Sequence, residues 1–381
     1  MPETFLPEKM FDRLAQYCRS RRFPASLALL LTVMSLLLAF PDFSRYDPAS
    51  LAWQTITLKA GNLTHTLAHL EPESWLAKKV FRLSVPVFMR VTGAPPAVVL
   101  ALQYVCGLLL FLFGYRLARR VLTDDVAAVF FTAAMAFTYF GRAAFYDVGY
   151  LWFDGIAYFL LLMAMYARMG WSVFLFATAA AWTDERAFMA LSVVMLFHWM
   201  DKGRWDRRTL PDGLRNPRLL AALAAAVGYL AVRTWLQVTY GMKTPGEGAH
   251  WQVIRHTWPH LPLGSWTFLE GFWLAACLFL LVSWSKREFL LPLLAGCILL
   301  VFTLTAASVY DVTRSGSFAL PVVFVMGRHL GSRLGKKDLR SLYFSVFAVS
   351  LLFPPIFVCS DWGPIQSLST SVFVKWLFYL L

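Results

Sequence analysis

Acids and bases are sparse in this sequence, and several sit together where chemistry is possible. In AAAWTDERAFMALSVVMLF (179–197), Asp184, Glu185 and Arg186 stand side by side within an apolar run. Ionisable groups inside such runs are expensive and mark functional interiors by default, although a surface turn explains the same triplet cheaply. FPDFSRYDPAS supplies Asp42 and Asp47 just after the first apolar segment. A carboxylate there can take a proton from a hydroxyl nucleophile or hold a divalent cation, while Asp47 beside Pro48 also suits a plain turn. GRAAFYDVGYLWFDG contains Asp147 and Asp154, which share a face if a helix begins near Tyr146, with Asp154 about two turns into it. Acids at that depth point to a functional interior, and the plainer alternative is a pair satisfied by Arg142 or by a neighbouring tyrosine. ASVYDVTRSGSFALP places Asp311 and Arg314 at i and i+3. A guanidinium fixed by a carboxylate is a phosphate ligand that never deprotonates, and a connecting turn carries the same residue types. Lys78, Lys79 and Arg82 form a basic run suited to a substrate phosphate or to lipid headgroups. Arg233, inside an apolar segment, either neutralises an acid or meets the substrate.

The elements that position these groups follow from composition. Of 381 residues, 59% are hydrophobic and 15% charged, and the mean hydropathy is +0.58, which excludes an ordinary soluble domain. The net charge of +13 resides in short basic clusters between apolar segments, the pattern of membrane topology and not of a nucleic-acid-binding face. The five cysteines are scattered without metal-ligand spacing. His65 and His69 are at i and i+4, a weak metal signal without a third ligand. Apolar segments at 23–40, 97–118, 126–140, 150–167, 171–182, 187–200, 218–240, 266–284, 289–308, 316–330 and 341–358 predict an all-α polytopic membrane protein of about eleven helices. Residues 1–22 form a cytoplasmic N-terminal segment and 23–381 a single integral domain. The first apolar segment is expected to be a retained anchor. Within the outward loop 41–96, two mixed stretches are too short and too charged to span, and predict interfacial helices.

Residues 171–200 read either as one long helix or as a hairpin with TDER at its apex. A single helix would move the basic clusters DKGRWDRR and GRHLGSRLGKKDLR to the outer side, so charge favours the hairpin. Its arms of about 12 to 14 residues fall short of a full crossing. Asp184, Glu185 and Arg186 are therefore expected at or below the outer interface, facing protein or a water-filled cavity.

This layout resembles the GT-C superfamily of integral membrane glycosyltransferases, which use polyprenyl-phosphate sugars as donors. The resemblance rests on the acid after the first helix (FPDF), the two interfacial helices that follow, the second acid in FYDVG and the short charged turn WTDERAF. It spans roughly residues 20–330. The chain departs from the pattern in lacking a clear paired acidic motif in the first loop and an outward C-terminal domain. The resemblance implies an inverting transfer to a cell-envelope acceptor on the outer face of a bacterial inner membrane. Asp42 would be the general base, with Arg314 and either Arg186 or the Lys78/Lys79 pair on the leaving phosphate, and Asp184 or Glu185 orienting Arg186. Asp147 would orient the acceptor or share a metal ion with Asp42. No cofactor is required, and a divalent metal is compatible with these acids. The partners implied are the lipid-linked sugar and membrane lipids. A transporter or flippase, and a non-catalytic partner in envelope polysaccharide assembly, are the competing readings.

Overall fold

The computed structural model describes the chain except residues 1–5, 40–42, 44, 45, 68, 69, 71–75, 147, 150, 201–212, 245–250, 354, 355, 360–365 and 368–381. Asp42 and Asp147, the two carboxylates assigned to catalysis, lie outside the described residues, as do His69 and the DKGRWDRR cluster. The described chain is all-α but for one two-residue β-ladder pairing Ile356–Phe357 with Gln366–Ser367. Its helices are α1 Leu6–Cys18, α2 Phe23–Ala39, α3 Leu51–Gly61, α4 Ser84–Thr92, α5 Pro96–Leu122, α6 Asp125–Phe137, α7 Tyr139–Tyr146, α8 Asp154–Tyr166, α9 Gly170–Thr183 and α10 Glu185–Trp199. They continue as α11 Pro217–Tyr240, α12 Trp251–Thr257, α13 Leu261–Leu269, α14 Phe272–Ser285, α15 Leu290–Ala307, α16 Val312–Gly316, α17 Val322–Gly331 and α18 Lys336–Leu352.

These positions follow the apolar segments closely, but spanning does not. Among the described residues, α5, α11 and α15 are long and apolar enough to cross a membrane. Three further crossings arise if bent pairs count as single spans: Lys9–Cys18 with Phe23–Ala39 (110°), Asp125–Phe137 with Tyr139–Tyr146 (51°), and Val253–Leu269 with Phe272–Ser285 (83°). The protein is thus membrane-embedded, with three to six candidate spans by length and composition among the described residues, and the predicted count of eleven is not confirmed. The other apolar segments fold as helices of less than spanning length: α8, α9, α10, α14, α17 and α18 have 13, 14, 15, 14, 10 and 17 residues. The long helices have clear boundaries. Pro96 and Pro217 occupy the first turn, where a missing N–H costs nothing. α11 ends on Gly241 at φ 65°, the left-handed cap that glycine favours.

The hairpin over 170–199 is present. Gly170, at the start of α9, packs on the carbonyl of Pro217, and the His198 carbonyl near the end of α10 accepts from Asn216 Nδ2 at 2.7 Å. Both outer ends of the hairpin therefore meet the start of α11, and the apex lies about 21 Å away along α9. The apex is also opposite the basic end of the bundle. The last turn of α5 contains Arg119 and Arg120, and Arg120 Nη1 donates to the carbonyl of Tyr166, which closes α8; Asp154 opens α8 at the other end.

The condition under which Asp147 and Asp154 would share a face, a helix beginning near Tyr146, is not met: α8 begins at Asp154, so Asp154 stands at a helix start and not two turns into one. Leu151 and Phe153 between them adopt left-handed backbone, φ 57° and 43°, which is uncommon for bulky residues and interrupts the helical path. In the first loop, α3 and α4 correspond to the two expected short helices, with a 3-10 turn at Ala77–Lys79 leading into α4.

Candidate functional site

The TDER apex is built by its own first residue. Asp184 is extended (φ −152°, ψ 137°), which ends α9, and its Oδ1 accepts the backbone N–H of Arg186 at 3.0 Å, which starts α10. The same carboxylate takes both arms of the Arg186 guanidinium, Nε to Oδ1 at 2.8 Å and Nη2 to Oδ2 at 2.7 Å. One aspartate thereby makes the turn and aims the arginine. Asp154 is delivered to the same end by the left-handed turn through Phe153, and Gly155 lets α8 lie against α7. A Cβ at Gly155 would fall 2.5 Å from Cα of Ala144. Arg314 comes from the short helix α16, whose Gly316 lies flat against the ring of Phe268.

These segments bring three guanidiniums onto two buried carboxylates. Arg314 forks onto Asp154, with Nε to Oδ2 at 2.6 Å and Nη2 to Oδ1 at 3.0 Å, and its Nη2 lies 3.4 Å from Asp184 Oδ2. Its plane covers the ring of Trp152 at 4.5 Å. Tyr139 donates its hydroxyl to Asp154 Oδ2 at 3.0 Å. Arg82, from the segment entering α4, places Nη1 2.9 Å from Asp184 Oδ2 and Nε 3.1 Å from Glu185 Oε2. Arg186 Nη1 donates to Ser315 Oγ at 3.0 Å, and its Nη2 is 3.8 Å from Asp154 Oδ1. Buried charges are tolerable when each is paired by forked bonds of this kind.

The network has an inside and a lip. Asp154 and Asp184 are wholly buried and Arg314 nearly so, whereas the Glu185 and Asp311 side chains are 27% and 28% exposed. Arg82 and Arg186 lie between these extremes. Of the lip acids, Asp311 holds its arginine at the longer distance, Oδ2 meeting Arg314 Nη1 at 3.4 Å against 3.1 Å for Glu185 Oε2 and Arg82 Nε. They are the more exposed carboxylates of the network, beside the buried Asp154 and Asp184.

Seven of the residues singled out in the sequence, Arg82, Asp154, Asp184, Glu185, Arg186, Asp311 and Arg314, thus meet at one site. Among the other described ones, Lys78, Lys79, Arg142 and Arg233 do not join it. Lys78 is exposed, and Lys79 is buried with Nζ donating to the carbonyl of Leu151 at 3.0 Å. Arg142 donates instead to the carbonyls of Ala136 and Phe137 at the break between α6 and α7. Arg233 donates to Tyr229 and Thr244 and covers the ring of Phe81. Tyr139, Trp152 and Ser315 belong to the site without any distinguishing sequence signal. Arg82 had one, as the third member of the basic run. Among the described residues, no group of three or more His, Cys, Asp or Glu is placed to hold a metal ion.

Fold and site together define a membrane-embedded helical bundle with a buried arginine–carboxylate network at one end. Comparison with family models, curated proteins and solved structures yields no match.

Proposed function

We propose that the protein is a glycosyltransferase that moves a sugar from a polyprenyl-phosphate donor to a cell-envelope acceptor at the outer face of a bacterial inner membrane, within a GT-C-like core. The observation that carries this reading is the convergence of three arginines at the end of the bundle opposite its basic clusters, with two replaceable acids at the lip. A lipid-linked phosphate approaching from the bilayer would displace Glu185 from Arg82 and Asp311 from Arg314. The fixed acids Asp154 and Asp184 would keep the guanidiniums aimed, an arrangement that stabilises charge as it develops on a leaving phosphate. In the transfer itself, the acceptor oxygen bonds to the anomeric carbon as its proton passes to a carboxylate. The bond from the anomeric carbon to the phosphate oxygen breaks, and its electron pair leaves with the lipid phosphate. Asp42 is the base that the resemblance assigns. Asp147 takes the acceptor or a divalent metal, and the eleven apolar segments supply the enclosing core.

A carrier is the second reading, favoured by the buried Arg142 at a helix break. Native mass spectrometry of the gently solubilised protein, with added undecaprenyl phosphate, separates the two. Retention of the lipid by wild type and its loss in Arg82→Gln supports the transferase. If no lipid binds even in excess, the transferase reading fails.

A further inference from the structure

The basic end of the bundle carries a cationic patch that is separate from the arginine–carboxylate network, and two segments assemble it. Residues 19–22 turn the chain from α1 into α2 through a bend of 110°. Backbone bonds hold that turn, Arg19 N–H donating to the Gln16 carbonyl at 3.2 Å and Phe23 N–H to the Ser20 carbonyl at 3.1 Å. Arg19, Arg21 and Arg22 are all exposed. The last turns of α5 supply Arg116, Arg119 and Arg120, exposed as well. Phe23 meets Tyr115 edge-on, with ring centroids 5.8 Å apart, so the start of α2 and the end of α5 gather their arginines around one aromatic contact. Arg119 covers the Tyr115 ring at 5.6 Å and Arg116 the Phe113 ring at 5.2 Å.

The acids of this end leave most of that charge uncompensated. Asp125 is bonded to Arg119 Nε at 2.5 Å, Asp124 is held by the fork of Arg340, and Asp12 lies 3.8 Å from the same Arg340. Among the described residues no acid pairs with Arg19, Arg21, Arg22 or Arg116. The turn is also fixed in place, because the buried Phe11 of α1 packs between Phe130 and Phe344 at 5.8 and 6.0 Å. Along α2, Leu30, Val33 and Leu37 are exposed, and their spacing from Phe23 makes one apolar stripe that rises from the patch. A cationic foot under an apolar, bilayer-facing stripe matches a molecule that is anionic at one end and hydrocarbon at the other.

We infer that the α1–α2 turn and the end of α5 form a binding site for an anionic phospholipid, with its headgroup phosphate on the arginines and its acyl chains along Leu30, Val33 and Leu37. Guanidiniums suit this ligand because their forks match pairs of phosphate oxygens and never deprotonate. Tyr17, exposed just before the turn, has the amphipathic ring favoured at headgroup level. Charge-directed topology requires only that basic residues be numerous on one side; it does not require two segments distant in sequence to converge on a single contact. A free phosphate shares the headgroup chemistry but makes no use of the stripe. The bound lipid clamps the α1–α2 turn onto α5.

The test is native mass spectrometry of the full-length protein in detergent, titrated with phosphatidylglycerol or with phosphatidylcholine of the same chains. Wild type is expected to retain phosphatidylglycerol in preference. At about fivefold per guanidinium removed, Arg116→Gln should lose about fivefold in affinity and the triple variant Arg19→Gln/Arg21→Gln/Arg22→Gln about 100-fold. Two controls should match wild type: Lys286→Gln/Arg287→Gln, exposed cations between α14 and α15, and Arg82→Gln in the network at the other end. Equal retention of the two lipids, unchanged affinity in the triple variant, or a comparable loss in either control would overturn the inference. So would displacement of phosphatidylglycerol by inorganic phosphate but not by chloride at the same ionic strength, which would assign the patch to a free anion. If the triple variant does not insert, Arg116→Gln decides alone.

Discussion

Replacing Arg314 with methionine tests whether the network is organised from the inside outward. The substitution keeps an apolar stem over Trp152 but removes both forked bonds to Asp154, at 2.6 and 3.0 Å. Asp154 would retain the Tyr139 hydroxyl and the distant Arg186 Nη2 at 3.8 Å. Breaking one side of a buried pair costs about 3–5 kcal/mol, mostly from the charge left behind. Arg82→Met should cost less, about 1–2 kcal/mol, because Asp184 keeps its two-armed bond from Arg186 and Arg82 is 15% exposed. Combining Arg314→Met with Asp154→Asn removes the stranded carboxylate. The double variant should then be less destabilised than the sum of the singles, by about 1–3 kcal/mol. Equilibrium unfolding in mixed micelles, followed by tryptophan fluorescence, measures all four stabilities. If Arg314→Met is no less stable than Arg82→Met, or the two substitutions at Asp154 and Arg314 simply add, the proposed hierarchy is wrong.

Gly155→Ala places a methyl 2.5 Å from the backbone of Ala144, and should cost about 1–3 kcal/mol by overpacking while weakening lipid-phosphate retention; unchanged stability would contradict the close approach of α7 and α8. Asp124 caps α6 at Ala127 N–H and takes the forked guanidinium of Arg340, so Asp124→Ala should lose about 2–3 kcal/mol and Asp124→Asn recover about 1 kcal/mol through the cap, measured by the same unfolding assay. Lys59, on the short helix α3, donates Nζ to the carbonyls of Leu63 and His65, and burial pushes its ammonium down from 10.5 to about 8. Between pH 8 and 10.5 the unfolded chain binds more protons there than the folded one, so stability rises with pH across that window; below it, both states are protonated and the penalty is constant. The melting temperature of wild type relative to Lys59→Met should therefore climb from pH 8 to 10, and a flat difference would refute the buried amine.

The sequence by itself determined the solvent in which this protein folds and the places where its helices lie. Long apolar runs must be helical in a bilayer because every backbone polar group needs an internal partner, and the edges of α5, α9, α10 and α11 fall within a few residues of those runs. Proline at a helix start and glycine at a helix end act locally, as does the aspartate that makes the TDER turn, so these boundaries were legible. The tertiary structure alone decided which charges meet. Arg82, Asp154, Asp184 and Arg314 come from separate segments, and no spacing along the chain encodes their forked contacts. It also decided where apolar runs break, since the breaks at Thr138 and Glu270 depend on packing: Gly141 against the Met135 carbonyl, and Gly271 against α18. Arg142 shows the difference most directly. Its sequence position beside Asp147 and Asp154 offered an acid as one partner, but the broken end of α6 presents two carbonyls to its Nε and Nη2, acceptors that the helix leaves unsatisfied.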